Sequence, residues 1–171
     1  MRLFLLSILI TLSSLLNAQS IDWNKHESQE SKISFKMPNK IQVLKKELND
    51  IKSQVFQTKD LTCVYGIVAS KFKNYNFSRE PINDIYKEMK EGSLYESSAI
   101  LMSEHSTIYK KMLVKEIKYS TVHQKTEYTY YKRFIFRGHY IYQISIGAMS
   151  RHANELEAKK EIFFNTISFL E

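Results

Sequence analysis

Thr126-Glu-Tyr-Thr-Tyr-Tyr-Lys-Arg-Phe-Ile-Phe-Arg-Gly-His-Tyr-Ile-Tyr-Gln-Ile-Ser-Ile-Gly-Ala-Met149 is the stretch on which the fold of this chain turns. Apolar and polar residues alternate on either side of Arg137-Gly138-His139, as in two long antiparallel strands. On the first strand Tyr128, Tyr130, Phe134 and Phe136 share a face, interrupted only by Lys132. On the second, Tyr140, Tyr142, Ile144, Ile146 and Ala148 share a face. Cross-strand partners lie on one face of a sheet, so loop parity decides whether these two sets meet. A three-residue loop at 137–139 joins them, whereas a two-residue Arg-Gly turn mixes the faces. Turn chemistry permits both. The larger burial favours the three-residue loop, with Phe134 and Tyr142 between sheet and helix.

The segments upstream of this hairpin are shorter. Ile33-Ser-Phe-Lys-Met37 alternates as a half-buried strand and Pro38 ends it. Ile41 to Leu44 forms a short return, and Lys52–Thr58 and Leu61–Ser70 read as strands around a Lys59-Asp60 turn. The period then changes. Ile82, Ile85, Tyr86 and Met89 make a helical stripe, with Ser78 as N-cap and Pro81 in the first turn. A second helical piece is expected to run to about Glu104, before strand character returns at 106–122. At the end, Ala153, Leu156, Lys160, Phe163 and Phe164 fall at helical spacing, with Ser150 or Asn154 as cap; Thr166–Leu170 finishes extended. Strands, helix, longer strands, helix: this order predicts an α+β fold, helices packed on a mostly antiparallel β-sheet.

The N-terminus carries a different message. Arg2, the apolar run Leu3–Leu16 and the small residues that follow have the layout of a secretory signal peptide. The run is shorter than the roughly 20 residues of a permanent span. Cleavage after Ala18 is preferred to cleavage after Ser20, and no cysteine follows Ala18 to take a lipid. The expected organisation is residues 1–18 as signal peptide, 19–32 as a polar segment anchored by Trp23, and 33–171 as one domain. The expected location is periplasmic or secreted, with no stable membrane anchor. Without Arg2 the chain has 24 Lys+Arg against 18 Asp+Glu. That balance favours anionic partners such as an envelope component, and export argues against nucleic acid. Lys45-Lys46, Lys110-Lys111 and Lys159-Lys160 read as solvated pairs near acids.

Three landmarks together carry a family resemblance. Ile33-Ser-Phe-Lys-Met-Pro38 resembles the F-x-x-P opening strand of the PsbP/Mog1/DcrB-like superfamily. A central helix precedes the long hairpin. Phe163-Phe-Asn-Thr-Ile-Ser-Phe169 is similar to the F-x-x-x-S-F close of those domains. The resemblance spans about residues 22–171. It implies an α/β/α sandwich around an antiparallel sheet and a non-enzymatic binding or assembly role, with no shared catalytic residues to transfer. The tyrosine-rich hairpin departs from the general pattern.

Sites for chemistry are sparse. His26, His105, His123, His139 and His152 form no H-E-x-x-H or H-x-H pair, so no metal site is assigned. The four glycines are far apart and no G-x-S-x-G occurs, so no catalytic or cofactor-binding residue is assigned. Glu88, Glu91 and Glu96 read as solvated charge on a helix. Cys63 lies in a strand-like run and is expected to be a buried free thiol. The hairpin's other face carries Tyr131, Arg133 and Arg137, an aromatic-plus-arginine row of the kind found in binding hot spots. A two-sided sandwich would cover that row instead. The leading expectation is an exported, non-enzymatic accessory or binding protein whose partner is a protein or an anionic envelope component. The alternatives are a carrier enclosing an apolar ligand in a lipocalin-like pocket and a hydrolase with an unrecognised site.

Overall fold

The computed structural model describes residues 22–79, 81–95 and 99–171. The expected signal peptide, both candidate cleavage points and Glu96 lie outside the described residues. A long antiparallel sheet organises the chain. Its strands are β3 (Gln42–Leu48), β4 (Ile51–Lys59), β5 (Cys63–Phe72), β6 (Ile100–Tyr109), β7 (Met112–His123), β8 (Thr126–Arg137) and β9 (Tyr140–Met149). Their order is β3-β4-β5-β9-β8-β7-β6. A smaller sheet, ordered β1-β2-β10, is built from β1 (Trp23–Ser28), β2 (Ile33–Pro38) and β10 (Ser168–Phe169). Helix α1 (Asn83–Ser93) lies on one face of the large sheet, and α2 (Ala153–Asn165) lies with the small sheet on the other. The result is the expected α+β sandwich.

Tight turns set the register. Lys110-Lys111 joins β6 to β7 and Gln124-Lys125 joins β7 to β8, with positive φ at all four residues, as two-residue hairpins of matching twist require. The β8–β9 loop also has two residues, Gly138 and His139, with Arg137 opposite Tyr140. This corrects the three-residue expectation. Gly138 takes φ +55, which suits glycine at the first central position of such a turn.

The shorter loop divides the apolar residues between two faces. Phe134 and Phe136 share one face with Ile141, where Phe77, Ile117 and Tyr86 of α1 pack on them. Ile135 lies opposite Tyr142 on the other face, with Ile144 and Ile146. There Ile33, Phe35 and Met37 of β2 and Leu156, Phe163 and Phe164 of α2 close the core. Phe134 and Tyr142 are both fully buried, on opposite sides of the sheet. Because both faces are covered, apolar burial does not distinguish the two loop parities, and the turn decides.

Other boundaries moved for local reasons. Segment 19–32 contains β1, which pairs with β2 along its whole length and sets Trp23 against Tyr65 and Phe163. Helix α1 begins at Asn83 with no side-chain cap; Ser78 accepts a hydrogen bond from the Gly138 N–H and so ties the β8–β9 turn to the approach of the helix. Residues 100–104 are strand, because pairing with β7 through the Lys110-Lys111 hairpin overrides helical propensity. The large sheet is open, with β3 and β6 as its edges, since the chain crosses from β5 to β6 by way of α1. The closed barrel of the carrier alternative is therefore not the architecture adopted.

Candidate functional site

Helix α1 roofs only part of its face of the sheet. Tyr86 meets Phe134 edge to face, with ring centroids 5.4 Å apart, and covers β7 and β8. Toward β3, β4 and β5 the sheet stays uncovered, and a cleft of about 770 Å³ opens there. Val55, Val64 and Val68 form its apolar wall, and Gly66, Ser145 and Gly147 form its floor. The floor is flat because two adjacent strands carry glycine. At Gly147 a Cβ would lie 2.2 Å from Tyr130 Cδ1, so only glycine lets that ring lie down on β9. Tyr130 also stacks on Tyr119, with centroids 5.2 Å apart and rings 17° from parallel.

Tyr130 lines a second cavity of about 450 Å³ on its other side, between the end of α1 and the sheet. Lys132 stands there. Its ammonium donates to Ser93 Oγ at 2.8 Å, and Ser93 Oγ donates in turn to the Met89 carbonyl at 2.8 Å. The same ammonium lies 6.0 Å from the Phe134 ring centroid. Among the described residues Lys132 has no carboxylate partner, and burial holds its pKa below the usual lysine value. Other sheltered cations are differently placed: Arg133 pairs with Glu116, Lys159 with Asp60 and Lys160 with Glu157.

No protein-family model and no curated protein matches the sequence. The architecture has clear parallels among solved structures. The cyanobacterial PsbP (CyanoP) of Synechocystis sp. PCC 6803 aligns over 90% of this chain and 95% of its own, with a TM-score of 0.64 at 7% identity. The fold is PsbP-like. LpqN, described as involved in cell envelope biogenesis of Mycobacterium tuberculosis, aligns over 94% of this chain and 97% of its own, with a TM-score of 0.55 at 7% identity. A protein of Bacteroides thetaiotaomicron aligns over 87% of this chain and 49% of its own, with a TM-score of 0.52 at 19% identity.

Within the PsbP-like fold, Tyr131, Arg133 and Arg137 fall on the face covered by α2 and β10, not beside the cleft. Arg133 is 8% exposed. Its guanidinium sits between the rings of Tyr109 and Phe164, 4.8 and 4.5 Å from their centroids, and binds Glu116 Oε1 through Nε and Nη2 at 2.7 and 2.6 Å. Arg137 lies over Phe169 at 5.5 Å and donates to the Leu170 carbonyl. Tyr131 donates to Glu157 and carries the Lys118 and Lys160 ammoniums over its ring. Burial, then the Glu157 hydrogen bond, push the Tyr131 hydroxyl pKa up. The open aromatic-and-arginine row is thus replaced by side chains that staple α2 and the C-terminal segment to the sheet.

The remaining candidates resolve locally. Cys63 is buried and free, and burial pushes its thiol pKa up. Lys159 is a half-buried strut, not a solvated charge: it binds Asp60, which also accepts from the Thr62 and Cys63 amides and the Tyr65 hydroxyl. Glu88 and Glu91 are exposed on α1. No three His, Cys, Asp or Glu side chains gather as a metal site among the described residues. Sequence reasoning noticed Lys132 only as an interruption of an apolar face. That interruption was the available signal: a lysine at a core-facing position among aromatics needs either a partner or a purpose.

Proposed function

We infer that this chain is an exported, non-catalytic binding protein of the cell envelope, periplasmic or released, which takes its ligand in the open cleft beside α1. The observation that carries the reading is the half-roofed sheet face, with an apolar wall, a glycine floor and Tyr130 lying flat on it. Concave, largely apolar surfaces with a few convergent polar groups are the usual form of ligand sites. The Arg2, Leu3–Leu16 and Ala18 pattern supports export. The envelope role described for LpqN, a protein of the same fold, supports the location.

The test uses the full chain expressed in a bacterial host. The released protein should begin at Gln19 or Ile21 by intact mass. Native mass spectrometry should find a co-purified envelope component on the wild type and a depleted amount on Val64→Glu. Val64 is half-exposed on the cleft wall, so the substitution charges the cleft without filling the core. Recovery of uncleaved chain in a carbonate-washed membrane pellet rejects export. Equal occupancy in both proteins rejects the cleft. Turnover of a chromogenic ester, phosphate or glycoside, abolished by one side-chain replacement, rejects the non-catalytic reading.

A further inference from the structure

We propose that β6 is a self-pairing edge: two copies of the chain join β6 to β6 about a two-fold axis at Ser106 and so merge their large sheets into one. The two edges of the large sheet differ in chemistry. At one end, β3 carries Lys45-Lys46 in its middle, the kind of charge that keeps an edge from pairing. At the other, β6 runs for ten residues without lysine, arginine or proline, and its residues from Ile100 to Ser106 are all exposed. Its one acid, Glu104, is already bound by the Lys90 ammonium and the Tyr86 hydroxyl of α1, each at 2.8 Å. Beside this edge Ile108 and its cross-strand partner Leu113 stay 68% and 49% exposed. A long strand edge with apolar residues and no free charge is a template for another strand.

The β6–β7 turn fixes which backbone groups are available. In a two-residue hairpin the closing pair, here Tyr109 and Met112, exchanges both backbone bonds, and such pairs recur at every second residue. Tyr109, Thr107, His105 and Ser103 therefore direct their N–H and C=O toward β7. Ile108, Ser106 and Glu104 direct theirs outward, where no described residue meets them. A two-fold axis normal to the sheet sets one residue opposite itself, and outward residues must meet outward residues. Centred on Ser106, the pairing joins Ser106 to Ser106 and, on either side, Glu104 to Ile108: three pairs with two bonds each. His105 then faces Thr107, so no like charges are opposed. This register also stays clear of the bulge between Leu101 and Ser103. Centring on Glu104 would oppose two carboxylates and run into the bulge, and centring on His105 or Thr107 leaves two pairs. A second copy is thus the occupant whose charges and free backbone groups match this edge. With lysines on β3, pairing of β6 with β6 closes at two copies and does not propagate. The cleft lies at β3–β5, far from this axis, and stays open in the dimer, so the two readings stand or fall separately.

Sedimentation equilibrium of the mature protein tests the pairing. One strand pair is at the small end of specific interfaces, so the dimer should be reversible, with a dissociation constant of roughly 1–100 μM. Ser106→Pro removes the outward N–H and leaves every β6–β7 bond in place. It deletes two of the six bonds across the axis and should weaken the dimer at least about tenfold. Ser106→Lys sets two ammoniums face to face and should weaken it likewise, with partial recovery at about 0.5 M salt. Ser106 is exposed, so both variants should keep the wild-type circular dichroism spectrum. A cross-link reads the register. Facing residues of a hydrogen-bonded pair have Cα atoms about 5.5 Å apart, within disulfide reach, so Ser106→Cys should give a covalent dimer on mild oxidation. Ile108→Cys, roughly 14 Å from its own copy, and Lys45→Cys on β3 should not. The native Cys63 is buried and does not compete. A wild type that stays monomeric up to about ten times the top of that range overturns the proposal. So does a dimer that both Ser106 variants leave as tight as before, or one that Lys45→Cys captures and Ser106→Cys does not. Growth beyond two copies overturns the closed pairing.

Discussion

Replacing Gly147 by alanine tests the floor of the cleft directly. A Cβ built there lies 2.2 Å from Tyr130 Cδ1, 2.4 Å from Cε1 and 3.1 Å from Cγ. Contacts that short are impossible, so the tyrosine ring must lift off β9. Lifting it breaks the parallel stack on Tyr119, worth roughly 0.5–1.5 kcal/mol, and overpacking of this kind costs about 1–3 kcal/mol. Alanine recovers about 0.5–1 kcal/mol of the entropy that glycine loses in a strand. The net expectation is destabilisation by about 2 kcal/mol. For a domain of this size that lowers the melting temperature by about 4–8 °C. The decisive comparison is a double-mutant cycle. With Tyr130→Ala already present the obstructing ring is gone, so Gly147→Ala should become neutral or mildly stabilising. The coupling between the two sites should therefore reach about 2–3 kcal/mol. Urea unfolding measures all four proteins, with a common m-value as the check that only stability has changed. If Gly147→Ala costs the same with and without the Tyr130 ring, the ring does not rest on residue 147, and the glycine floor is misread.

Three further expectations follow from the packing. Phe134→Ala removes a fully buried ring that Tyr86 and Phe136 surround and should cost about 3–5 kcal/mol, leaving little folded protein in a 37 °C solubility assay. Arg133→Ala leaves the buried Glu116 carboxylate without its guanidinium, facing only the exposed His105 ring among the described residues, and should cost about 3–5 kcal/mol in urea melts, whereas Arg133→Met combined with Glu116→Leu should recover most of that loss. Burial raises the Asp60 pKa, but hydrogen bonds from the Cys63 and Thr62 amides, then Lys159 and Tyr65, outweigh it and hold the carboxyl below its ordinary 3.8. Its stabilising effect is therefore fully present above pH 3.8 and is lost as pH falls through the lower folded value; Asp60→Asn should flatten the stability–pH curve in that acid window and nowhere above it.

What the residues determined unaided was local and periodic. Alternation in Ile33–Met37 and in both arms of Thr126–Met149 marked strands, and the Ile82, Ile85, Tyr86, Met89 stripe marked the face of α1 that packs. The F-x-x-P and F-x-x-x-S-F landmarks pointed to the fold adopted, and the burial of Cys63 followed from its apolar run. Alternation assigns side chains to two faces, but it does not say which face is covered or by what. Here both are, so Phe134 and Ile135, neighbours in sequence, are equally buried on opposite sides. A two-residue turn, Gly138-His139, chose the register without any loss of burial. The fate of each charge was likewise a matter of long-range contact. Arg133 met Glu116 from β7 and Phe164 from α2, and so became structure. Lys132, one residue away and facing the other side, met the end of α1 and a hydroxyl instead. Charge and spacing are the same in sequence for these two cations; only tertiary packing, which supplied a carboxylate to one and a cavity to the other, set them apart.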